Sequence, residues 1–148
     1  YVTLQEMRYN FRFEVIVDAN RQTHEMLVPR FILQPLVENA IYHGRVDDGK
    51  ILVEVMPEGD AHLLISVSDN GEGMTEEEIR GLLDFEADSG KRNGFGIGLQ
   101  YVRRMVHHYF GDGARFTIRS SPGHGTTISL LLPVLREGLA HDQGIGGR

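Results

Sequence analysis

Glu38 and Asn39 stand side by side in ENAIYHG, a carboxylate next to a carboxamide. Their oxygens suit a hard divalent cation, which takes few protein ligands and keeps most of its waters. Further along, Asp69 precedes two glycines in SDNGEGM. An aspartate closing an apolar run is costly to bury unless something pairs with it. Gly71 and Gly73 let a ligand lie against bare backbone beside it, and the complement of that carboxylate is an amino group. A third cluster, KRNGFGIGL, sets Lys91, Arg92 and glycines 94, 96 and 98 directly before a helical run. Glycines feeding a helix N-terminus offer backbone N–H groups to an anion, most often phosphate. Thr126, in GHGTT, either hydrogen-bonds a ligand or opens a strand. Each cluster also has a plainer reading. Glu38, Asn39 and His43 make an ordinary helix end with His43 near the C-terminal dipole, Asp69 starts an Asn-Gly turn, and 84–96 is a surface loop.

Periodicity shows what must carry these clusters. FRFEVIVD (11–18) alternates apolar and polar residues as a half-buried strand does. Pro29 opens a helix in which Ile32, Leu33, Leu36, Val37, Ala40 and Ile41 form one apolar face, and Gly44 stops it. KILVEVM and HLLISVSD read as strands joined by PEGD, an antiparallel hairpin that ends on Asp69. TEEEIRGLL starts at Thr75 with Glu78 three residues on, a capping box. Leu99, Val102, Met105 and Val106 mark a further helix, and ARFTIRS and TTISLLLP are strands linked by SPGHG. About five strands, mostly in hairpins, and about three helices predict an α+β fold. Its form is a two-layer α/β sandwich, a mixed, mostly antiparallel sheet covered on one face by the helices.

Composition removes several classes. At 148 residues the chain is one domain with a sizeable core. Its net charge of −6 argues against general affinity for nucleic acid. There is no cysteine for a disulfide, thiolate metal site or nucleophile, and no apolar run approaches the ~20 residues of a membrane span. NGFGIGL is neither the dinucleotide fingerprint nor a P-loop, since GxxxxGK[ST] is absent. DFEADS spaces its acids like a calcium loop, but Ser89 stands where the loop glycine belongs and Phe95 where the bidentate glutamate does.

Taken in order, LQPLVENAIYHG, SDNGEGM, NGFGIGL and GHGTT resemble the N, G1, G2 and G3 boxes of the GHKL superfamily of ATP-binding domains. The first is similar to the N box of LytS/YesM-like sensor histidine kinases, and the resemblance covers residues 1–133. It implies the Bergerat-type form of the sandwich and an ATP-dependent protein histidine kinase, present as its catalytic domain alone. By that likeness, Asn39 holds Mg²⁺ against the ATP phosphates, Glu38 is the acidic residue that assists in polarising the nucleophile, and His43 lies near the nucleotide. Asp69 reads the adenine amine, and Gly71 and Gly73 shape the pocket. Lys91 and Arg92 face the phosphates, and Gly94, Gly96 and Gly98 hinge a lid with Leu99 following. Gly125 and Thr126 match the last box.

The likeness also implies partners. These are an upstream dimerisation and phospho-acceptor domain of the same protein, a response regulator served indirectly, and a homodimeric, membrane-bound parent with this domain in the cytoplasm. Residues 1–10 read as the end of a linker helix, 11–135 as the kinase catalytic domain and 136–148 as a disordered tail. The chain opens on Tyr1, not methionine, and is expected to be a piece of something longer. Two departures matter. Pro35 stands where gyrase-like members carry the glutamate that activates water, which favours phosphotransfer over hydrolysis. None of the seven histidines lies in an acceptor context. A catalytically silent nucleotide-binding signalling module is the alternative.

Overall fold

The computed structural model describes residues 12–17, 32–44, 48–84 and 97–134. The expected linker helix (1–10), the Pro29 helix start, Lys91, Arg92, Gly94, Gly96 and the tail (136–148) lie outside the described residues. Five strands form one sheet: β1 (Arg12–Val17), β2 (Lys50–Glu58), β3 (His62–Asp69), β4 (Arg115–Ser120) and β5 (Thr126–Pro133), in the order β1-β2-β3-β5-β4. β2, β3, β5 and β4 pair antiparallel, and β1 joins β2 in parallel. Three helices, α1 (Leu33–His43), α2 (Glu76–Leu83) and α3 (Ile97–Phe110), accompany the sheet. The α+β sandwich with a mixed, mostly antiparallel sheet and three helices is therefore the architecture found.

Strand alternation fixes which face is covered. On β5, Thr126, Ile128, Leu130 and Leu132 are buried while the residues between them are half-exposed. In register beside them lie Val67, Ile65 and Leu63 of β3, and Ile118 and Phe116 of β4. Against this face α1 buries Leu36, Val37, Ala40 and Ile41, and α3 buries Leu99, Val102 and Val106. Burying one such side chain is worth about 1.5–3 kcal/mol, so this shared core holds the helices on the sheet. The other face is more polar. There Ser66 donates to Glu54 Oε2 at 3.0 Å, and the Ser68 and Thr127 hydroxyls meet at 2.9 Å.

The helix ends follow from local chemistry. Pro35 falls in the first turn of α1, where its missing N–H has no intrahelical partner to lose. Thr75 caps α2 as its sequence predicts: its hydroxyl accepts from Glu78 N–H at 3.3 Å, and Glu78 Oε2 accepts from Thr75 N–H at 2.7 Å. The other end of α2 is closed from outside, because Arg103 of α3 donates Nη1 to the Leu83 and Leu82 carbonyls. Burial pulls the Arg103 guanidinium below its usual range, against the opposing pull of Asp84. One boundary differs from expectation. α3 begins at Ile97, so Gly98 belongs to its first turn and not to a loop before it. Glycine's entropic cost applies chiefly to helix interiors, and a Cβ at Gly98 would meet the Pro35 side chain of α1 at ordinary contact distance, 3.7 Å.

Candidate functional site

At one end of the covered face the apolar rows give way to a polar one. Asp69, last residue of β3, is in register with Thr126, first residue of β5, and Thr126 with Ser120, last of β4. These side chains share the inward face of three adjacent strands. Asp69 Oδ1 accepts the Gly71 N–H at 2.8 Å. Burial pushes the Asp69 carboxyl up from its ordinary value, and hydrogen bonds from the Gly71 and Thr126 backbones pull it partly back.

Backbone packs on backbone around this row. A Cβ added at Gly71 would stand 1.9 Å from the His43 carbonyl oxygen, and one at Gly125 would stand 2.0 Å from the Asp69 carbonyl oxygen. Gly125 also has φ +77, a conformation that glycine alone adopts readily. Hydrogen bonds close the same seams, from Glu72 N–H to His43 O at 3.3 Å and from Gly123 N–H to Glu72 O at 2.7 Å. Asn70 adds a clamp on the chain before β2: its Oδ1 accepts from Lys50 N–H at 2.8 Å and its Nδ2 donates to Asp48 O at 2.7 Å. The α1 terminus, the turn after β3 and the β4–β5 hairpin are thus locked together.

Helix α1 forms a wall of the site through its last turns. His43 is half-buried, and burial lowers its imidazole from its ordinary value while Glu72 and Glu78 oppose that. Glu38 is exposed and accepts from Gln34 Nε2 at 3.0 Å. Asn39 is half-buried, and its carboxamide has no hydrogen-bond partner among the described residues. That carboxamide oxygen would fit one ligand position of a cation that needs few protein groups. Among the described residues there is no cluster of three or more acidic or histidine side chains that would hold a metal alone.

The fold therefore gathers Asp69, Gly71, Gly73, Gly125 and Thr126 with the terminus of α1. Gly73, at φ +72, lies against the Ser121 carbonyl. Leu99 is 2% exposed, its side chain committed to the core. Spacing gave no sign of Ser120 or of Asn70's clamp. Ser120 enters the site only through the register of β4, and the Asn-Gly turn hinted at Asn70 without showing what it would hold.

The sheet with helices on one face has the fold of histidine kinase catalytic domains. The mycobacterial sensor histidine kinase MprB superposes with a TM-score of 0.64 at 18% identity, over 91% of this chain and 90% of that one. The catalytic domain of histidine kinase ThkA, in a nucleotide-free form, gives 0.67 at 20% identity, over 89% and 84%. The family described as histidine kinase-, DNA gyrase B-, and HSP90-like ATPase matches residues 27–136, and the chain belongs to it. The sensor histidine kinase/phosphatase LytS of Staphylococcus aureus is 32% identical over 140 residues, 93% of this chain. The chain spans about a quarter of that protein's length, the matched part being 24% of it.

Proposed function

We propose that this domain binds Mg²⁺–ATP and passes the γ-phosphoryl group to a histidine on an upstream dimerisation domain of the same protein. The observation that carries the reading is the row at the sheet end. It sets a half-buried carboxylate in register with a hydroxyl, beside turns of bare glycine backbone. Asp69 accepts from the adenine amine, and Gly71, Gly73 and Gly125 shape the slot. Asn39 holds the metal, which neutralises phosphate charge when bound, with Glu38 beside it to assist in polarising the incoming imidazole. His43 and Leu99 are assigned to the border of the nucleotide, Lys91 and Arg92 to its phosphates, and Gly94, Gly96 and Gly98 to the hinge of a lid over them. In phosphoryl transfer, positioning and charge neutralisation supply most of the catalysis. The parent is read as a membrane-bound homodimer with this domain in the cytoplasm, serving a response regulator.

Calorimetric titration with a non-hydrolysable ATP analogue tests the pocket. Micromolar binding should fall roughly ten- to a hundredfold in Asp69→Ala, as expected for loss of a hydrogen bond to a charged group worth about 1.5–3 kcal/mol. A loss below threefold removes Asp69 from the role. Adding the dimerisation domain and following phosphate incorporation tests transfer. Tight binding without incorporation would turn the reading to a silent nucleotide-binding module.

A further inference from the structure

Resting on that reading, we infer that Ser120 is a positioning residue that sets the choice of base by fixing the direction of the Thr126 hydroxyl. Proton accounting carries it. Ser120 Oγ lies 2.7 Å from the Gly125 carbonyl oxygen, 2.8 Å from the Met74 nitrogen and 2.9 Å from Thr126 Oγ1. A serine hydroxyl has one proton and two lone pairs. A carbonyl can only accept, so that proton goes to Gly125. Both lone pairs then face donors, the Met74 N–H and the Thr126 hydroxyl. Thr126 has spent its single proton on Ser120, and its oxygen offers the pocket lone pairs alone.

Asp69, next in the row, is an acceptor as well. The floor of the site thus accepts and does not donate. A 6-amino purine brings two N–H groups to such a floor. A 6-oxo purine sets an oxygen at that position, its edge proton being carried on N1 instead, so lone pair meets lone pair and polar groups of the site are left unpaired. Ser120 itself touches no ligand in this scheme, because its hydroxyl is fully committed to Met74, Gly125 and Thr126. The hairpin holds it in place, since Gly125 is fixed by its positive φ against Asp69.

The test is the ratio of dissociation constants for inosine and adenosine triphosphates, measured calorimetrically in wild type, Ser120→Ala and Ser120→Thr. In Ser120→Ala the Thr126 hydroxyl is free to turn and donate to a 6-oxo group, so the ratio should fall about tenfold, the scale of one hydrogen bond. Ser120→Thr keeps the hydroxyl and should keep the ratio. Ser120→Cys, close in volume and a poorer hydrogen-bond former, gives the same reading should the alanine variant not fold. Loss of stability alone would weaken both nucleotides equally, and an unchanged ratio in Ser120→Ala or Ser120→Cys overturns the assignment while leaving the nucleotide pocket standing. A wild type that binds neither nucleotide overturns the pocket and this inference together.

Discussion

Asp69 carries a conflict between burial and its proposed role, and pH exposes it. Burial raises its carboxyl above the ordinary value of 3.8, yet only the ionised form is a pure acceptor for an amine. Affinity for the ATP analogue should therefore fall as pH drops through the raised value, sooner than for an aspartate at its ordinary value, and calorimetry across the acid range reads it. The fold responds with the opposite sign. Between 3.8 and the raised value the native state holds the extra proton, so this group's contribution to stability improves as pH falls. Of the residues in this row, Asp69 was legible in the sequence because an acid ending an apolar strand before NGEG needs a reason to be there. Thr126 was half-legible, a ligand contact or a strand start, and it is in fact the first residue of β5. Ser120 was invisible, since its place depends on pairing with a strand that begins beyond the hairpin.

Elements were legible where their signals are local. The capping box at Thr75 and Glu78 is an example, with both reciprocal bonds formed. Thr75→Ala should cost about 1 kcal/mol, measurable by urea denaturation, with nucleotide affinity little changed because α2 lies outside the polar row. The closing of α2's other end was not legible. Arg103 comes from a different helix, and its spacing among apolar residues says nothing of the carbonyls it reaches. The start of α3 was misplaced because glycine usually marks the outside of a helix, whereas in a first turn that penalty is small.

At the scale of the molecule, β5 is the keystone. It lies between β3 and β4 and carries Leu130, fully buried midway along the strand. Leu130→Ala should destabilise by about 2–5 kcal/mol, and its thermal unfolding midpoint should drop accordingly. Hairpin signals in the sequence set β2 beside β3 and β4 beside β5. They carry nothing that puts β3 next to β5, a pairing between distant segments decided by the shared core. Yet that pairing creates the floor of the site, because Asp69 meets Thr126 only there. During synthesis, a nascent chain that has yet to present Thr126 already contains the acid, the glycine turn and the sequences of α1, α2 and α3, but lacks the floor that we propose tells one purine from another. On the proposed reading, selectivity arrives with β5, so a half-made domain lacks the discrimination of a finished one.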